Sequence, residues 1–317
     1  MEDKAEKRSN CCQTLGKAFR YEFKCRNLGF SGAQYDHFPF AQWMWMDKFF
    51  YPIYRFIIAI GLLAWACVEI VEEIEQSKHT HTKSKYFLYA TNWSFLTYTV
   101  SSMVFAIFCT FYNCKKGEVT YAKASRWISE ILWFFYGMSM NTVVVTSLGY
   151  WAALWDPTYY RFYKPESEFK HTIPALTVIL DLFLNGLPIR LLHAIYPMIF
   201  GILYSTFSFL YFDTGHEKPI YPVLDWSQPT KAAIVCTTII IVGLIVQFLL
   251  YLLYVGRITL SAHLNGRGKV VVDSWWNAGS QATPVNEAVE SEEIVETEIS
   301  TDAKGKGDVE VGYISSK

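Results

Sequence analysis

The sequence predicts an all-α polytopic membrane protein, a bundle of about six transmembrane helices followed by a disordered C-terminal tail. Three observations predict it. The 317 residues are 52% hydrophobic and 17% aromatic, their apolar residues come in long blocks, and the charged residues gather at the two ends. A span needs about 20 mostly apolar residues. Such blocks lie at 49–71, 87–112, 127–154, 171–193, 195–213 and 231–255. The fourth and fifth are joined by a tight connection bounded by Pro188 and Pro197.

The chain divides accordingly into a basic N-terminal segment (1–48), a six-helix membrane domain (49–256), a juxtamembrane segment (257–277) and an acidic tail (278–317). The first apolar block follows some 48 polar and mixed residues, too far in for a signal-peptide core, so the first span itself is expected to target the chain. With a cytoplasmic N-terminus, the cytoplasmic segments hold about twice as many Lys and Arg residues as the opposite loops. That bias places both termini in the cytoplasm. The resident membrane is expected to be the plasma membrane or the endoplasmic reticulum.

Segment 1–48 suits a juxtamembrane helix or loop facing anionic lipid. Trp43, Trp45 and Tyr51 read as an interfacial belt. Cys11 and Cys12 lie near basic residues and are candidates for palmitoylation, or are two plain cytosolic thiols. The seven cysteines contain no C-x-x-C pair, so neither a zinc site nor a disulfide framework is indicated. His79 and His81 sit in a hydrophilic loop without a third ligand, and no metal site is expected. The tail is rich in Glu and poor in aromatic residues and cannot bury enough apolar surface to order itself. No cofactor and no nucleic-acid partner is expected; the partners are membrane lipids, with cytoplasmic proteins as candidates for the tails.

Polar groups at membrane depth mark functional or packing sites. Asp181 lies ten residues beyond His171 in the fourth span, about 15 Å along a helix axis, so the two cannot meet on a straight helix. Asp181 needs another partner, such as Arg55, or a proton. Asn185 follows it by one turn. On the second span, Thr91, Ser94, Tyr98 and Ser101 share one helical face, which should point into the bundle. Such hydroxyls often bond back to a carbonyl of the preceding turn, so packing alone accounts for them as well. The predicted topology starts spans two and four on the non-cytoplasmic side, which puts Thr91 and His171 at similar depth. The loop after span five, with Asp213, His216, Asp225 and Trp226, would rim the same vestibule.

The stretches "LYATNWSFLTYTV", "LDLFLNGLPIRLLHAIYPMIFGILYSTFSFLYF" and "IYPVLDWSQP" resemble the rolling stone family of multi-span membrane proteins, and the resemblance implies a link to cell–cell fusion. More distantly, the layout is similar to the androgen-induced-gene-like membrane hydrolases, which cleave fatty-acid esters with an intramembrane threonine and histidine. That resemblance implies Thr91 as nucleophile and His171, in the pair His171-Thr172, as base. It also covers Asp181 ten residues later and the element Tyr221-Pro222-Val223-Leu224. Asn92, Trp93 and Ser94 depart from the residues that follow the hydrolase threonine. The chemistry requires an imidazole within reach of the threonine hydroxyl, with Asn92 or a nearby hydroxyl as donor to the oxyanion. A lipid-ester hydrolase and a non-enzymatic protein of fusion or adhesion are the two functions expected.

Overall fold

The computed structural model describes residues 13–30, 41–46, 49–79, 85–114, 119–155, 165–215, 219–264 and 266–277. The expectations for Cys11, Cys12, His81, His216 and the acidic tail lie outside them. By internal contacts the chain divides into Met1–Trp275 and Trp276–Lys317. Apart from Trp276 and Asn277, everything described belongs to the first unit. It is helical: α1 (13–22), α2 (Phe50–His79), α3 (Ala90–Cys114), α4 (Val119–Gly149), α5 (Pro165–Leu184), α6 (Ile195–Asp213), α7 (Pro229–His263) and α8 (Gly268–Asn277). Short 3-10 turns occupy Cys25–Leu28, Tyr86–Leu88 and Leu192–Ala194, and α4 runs on into a π turn at Tyr150–Leu154.

Among the described residues, four helical stretches are long and apolar enough to cross a membrane: Ala90–Phe111, Trp127–Leu154, Leu192–Asp213 and Pro229–His263. The chain is an all-α polytopic membrane protein. α3 packs between α2 and α4, and α4 also meets α5 and α7. Leu, Ile, Val and Phe side chains cover the outside of α6 and α7 because lipid surrounds them. The fully buried side chains are unusually polar, Arg55 and Arg257 among them. Nothing in a hydrocarbon interior compensates an isolated charge, so each must find its partners in the protein.

They do so around Asp181. The Arg55 guanidinium donates to its carboxylate at 3.0 Å, as do the Tyr136 hydroxyl, the Tyr54 hydroxyl at 3.2 Å and the Asn185 amide at 2.9 Å. Arg55 also donates to Tyr51 and lies over the Phe105 ring, 3.8 Å from its centre. The Asp181 side chain is completely buried, and one network therefore ties α2, α4 and α5 together. Arg257 of α7 extends it by donating to the carbonyls of Leu182 and Leu187 and to Asn185 Oδ1. A cation there satisfies the carbonyls left open at the end of α5 and complements its dipole.

This arrangement also sets where α5 ends. The apolar block at 171–193 reads as one span, but α5 starts earlier, at Pro165, and stops at Leu184. Pro188 disfavours helix in the residue before it. Asn185 Oδ1 accepts the Leu187 amide, and an isolated antiparallel bridge joins Asn185 to Ala41. The Gln42 amide donates to the Leu184 carbonyl at 2.8 Å, and the Gln42 side chain to Ser261. Segment 41–46 thus closes this end of the bundle. α6 occupies the residues expected of the fifth block.

α1 lies against the same end. Its buried residues Thr14, Ala18, Tyr21 and Glu22 share a face, and Phe19 stacks with Phe248 and meets the Tyr251 ring at a tilt, both on α7. Glu22 accepts the Leu191 amide at 2.9 Å and faces Arg190 at 3.9 Å. Burial pushes its carboxyl up to about 7, against the pull of Arg190 and of the Leu191 amide. The folded chain therefore holds a proton that the unfolded chain releases above about pH 4.5. Stability contributed by this group is lost as pH rises from about 4.5 to about 7, and is constant above that window. Glu22→Gln should flatten that part of a stability–pH curve measured on the detergent-solubilised protein. An unchanged slope would contradict the assignment.

Candidate functional site

A cavity of about 280 Å³ opens at the opposite end of the bundle. Its walls come from the last turns of α2, the 3-10 turn before α3, the start of α3, the π turn after α4, the first turns of α5, and the α6–α7 loop. Thr91 and His171 both line it. The structure brings these two residues, 80 positions apart in sequence, to one polar chamber.

His171 is held through both its ring and its backbone. The Tyr150 ring stacks on the imidazole with centres 4.0 Å apart and planes within 6°. Ser147 donates to the His171 carbonyl. The π turn presents Tyr150 to this ring, and single π turns inside helices frequently occur at functional sites. Pro174, three residues on, has no amide proton to give the Lys170 carbonyl, which loosens the first turns of α5.

Thr91 is half-buried, and its hydroxyl and backbone bond with Tyr221. Burial raises the Tyr221 phenol above its ordinary value, so it stays a neutral donor, although Thr91 itself pulls the other way. Tyr221 is set by its ring contacts with Tyr89 at 5.7 Å and Tyr204 at 6.3 Å. The Tyr204 hydroxyl in turn donates to the Leu88 carbonyl at 2.8 Å, fastening the loop over the entry to α3. Among the described residues, no hydrogen bond joins Thr91 to His171.

Asn92 is committed elsewhere. Its amide donates to the Tyr86 carbonyl at 2.6 Å and its oxygen accepts Lys170 at 2.6 Å, so it braces the chamber instead of pointing at an oxyanion. Ser94 donates to the Thr91 carbonyl at 2.9 Å and approaches the Thr146 hydroxyl at 3.3 Å. Tyr98 bonds Thr177 of α5 at 3.3 Å. The stripe on α3 faces inward, and its hydroxyls below Thr91 serve packing. Asp181 and Asn185 belong to the buried network at a different level. Of the α6–α7 loop, Tyr221 lines the chamber, while Trp226 packs on Phe209 and donates to Ser208 at 3.1 Å.

Several wall residues escaped sequence reasoning. Lys170 reads as a loop cation beside the fourth span, yet its side chain is 12% exposed and pairs with Glu69 of α2. Tyr86 and Tyr150 carry no local signal at all. Glu69 near the end of α2 and Lys170 near the start of α5 fall in or beside apolar blocks of the sequence, and that match is the one clue that could have paired them. Among the described residues no group of three or more His, Cys, Asp or Glu side chains could hold a metal ion.

The family model described as protein rolling stone matches residues 10–276. The chain belongs to the rolling stone family. The rolling stone protein of Drosophila melanogaster is 24% identical over 254 residues, covering 75% of this chain and 89% of the fly protein. No solved structure matches. The rolling stone match takes in every residue that walls the chamber and both ends of the Asp181 network.

Proposed function

We propose that this rolling stone family member is an intramembrane hydrolase of lipid esters, with Thr91 as nucleophile and His171 as base. The supporting observation is the chamber that Thr91 and His171 share, in which the imidazole is stacked on the Tyr150 ring. In the reaction, the free imidazole nitrogen takes the Thr91 proton as Oγ1 adds to the ester carbonyl carbon. The Tyr221 hydroxyl, already beside Thr91, donates to the oxygen that gains charge. Collapse breaks the bond to the alkoxide, which leaves with the proton held by His171. Water then adds to the acyl-threonine by the same steps in reverse, restoring Thr91.

The topology that suits this reading has six spans, with α2 and α5 joining the four long apolar helices. Supporting it, α2 exposes Ile53, Ile57, Ile60 and Leu63, and α5 exposes Ile173, Leu176, Leu180 and Phe183, as lipid-facing helices would. Both termini are then cytoplasmic and the chamber opens at the other membrane face. Protease applied to the cytoplasmic side of sealed vesicles should remove epitopes at both ends. Protection of either epitope would overturn this topology.

Fluorophosphonate-probe labelling of the purified protein tests the activity. The wild-type chain should label, and Thr91→Ala should not while remaining monodisperse. Equal labelling of both would reject Thr91 as nucleophile. A non-enzymatic role in fusion or adhesion, the other expectation, instead has a folded Thr91→Ala protein working normally in a cell-contact assay.

A further inference from the structure

The two buried histidines of the bundle meet their aromatic neighbours in different ways. His193 touches Phe30, Trp133 and Tyr196 at tilts of 51°, 56° and 61°, with centres at least 4.7 Å apart, as rings do when they only fill space. His171 instead lies flat on Tyr150, 4.0 Å away and within 6° of parallel. The whole face of the phenol ring is turned to the imidazole.

Contacts on both sides of the pair fix that spacing. The π turn that carries Tyr150 is closed by the Trp155 amide, which donates to the Tyr150 carbonyl at 2.8 Å. One turn earlier in α4, Ser147 donates to the His171 carbonyl, and beyond the π turn the Trp155 indole donates to Glu168 of α5 at 3.0 Å. Tyr150 itself is buried. The ring and the imidazole therefore move as one unit.

The face-on geometry matters once a proton moves. As the nucleophile adds to the ester carbonyl carbon, its proton goes to His171, the imidazole gains a positive charge and the carbonyl oxygen a negative one. A cation over an aromatic face within about 6 Å of its centre is attracted by the ring. That attraction grows with the charge, so it acts on the transition state more than on bound substrate and belongs in kcat.

We propose that Tyr150 is a positioning residue for this reaction, whose ring face sets the plane of the His171 imidazole and stabilises the imidazolium formed when it takes the nucleophile's proton. The inference rests on the hydrolase reading. Changes confined to the Tyr150 ring leave the charged neighbours of His171 in the chamber, Lys170 of α5 with Glu69, Glu72 and Glu73 of α2, as they are.

The test is made on the full chain in maltoside micelles, with phenylalanine and then mono-, di- and trifluorophenylalanine at position 150. Fluorine draws electron density from the ring face and nearly preserves its shape. With a p-nitrophenyl fatty ester, Tyr150→Phe should stay near wild type, and kcat should fall stepwise with each fluorine, on the order of tenfold across the series, at constant KM. Tyr150→Leu should lose at least as much. In NMR spectra of carbon-13-labelled histidine, the His171 ring proton, identified by its absence in His171→Ala, should be shifted upfield by the stacked ring in every aromatic variant and should lose that shift in Tyr150→Leu. A kcat that is flat along the fluorine series overturns the proposal even if Tyr150→Leu is inactive or unfolded, and leaves Thr91-dependent hydrolysis intact. Loss of activity in Tyr150→Phe would assign the effect to the hydroxyl and overturn it as well, as would a wild-type spectrum without the upfield signal. Turnover that persists in Thr91→Ala but still falls with fluorination would reject Thr91 as nucleophile and support the role of the ring. A wild-type protein without any turnover would overturn both.

Discussion

Asp181→Ala is expected to lower stability by about 3–5 kcal/mol, the cost of leaving a buried guanidinium without its carboxylate. Arg55 is 1% exposed, and the substitution also strips acceptors from Tyr54, Tyr136 and Asn185. The loss should appear in detergent as a collapse of the monodisperse fraction and in mixed micelles as unfolding at lower denaturant. Removing both charges tells packing from charge. Arg55→Met combined with Asp181→Leu should recover much of the loss, because apolar replacements of a buried pair are often close to neutral. If Asp181→Ala unfolds at the wild-type midpoint, the network does not hold α2, α4 and α5 together.

His171→Ala is expected to reduce ester hydrolysis by about 10²–10⁴-fold, the usual contribution of a positioned general base. The fold should survive, because Tyr150 and Ser147 bracket the site without depending on the imidazole charge. His171→Gln refines the test, since its amide keeps a polar side chain of similar reach but cannot take a proton. Equal losses in the two variants point to proton transfer. Recovery of activity in His171→Gln would make the residue a spacer and defeat the mechanism.

The helical architecture was largely legible because lipid imposes a simple rule: long apolar blocks must be helices that satisfy their own backbone. α6 occupies residues 195–213 as its composition implies, and Arg55 was nameable as a partner for Asp181 since few cations enter the spans. The end of α5 was not legible. It depends on Asn185 and Arg257, 72 residues apart, meeting at the open carbonyls of one helix.

The chamber was legible in part for the same reason. The topology expected from the sequence puts Thr91 and His171 at one depth, but neighbours supplied by other helices leave no local mark. Tyr150 reaches His171 only because α4 widens into a π turn at that residue. Asn92 follows Thr91 directly and so invites a catalytic part, yet Lys170 claims its oxygen. A pairing between residues 78 positions apart cannot be read from spacing.

The central claim is that Thr91 becomes acylated, and mass spectrometry of the protein quenched during turnover tests it most directly. With a p-nitrophenyl fatty ester in micelles, the peptide containing Thr91 should gain the mass of the acyl group. That adduct should be absent from Thr91→Ala and should not form in His171→Ala. Sustained turnover by Thr91→Ala, with no acyl adduct on the wild-type peptide, would contradict the account.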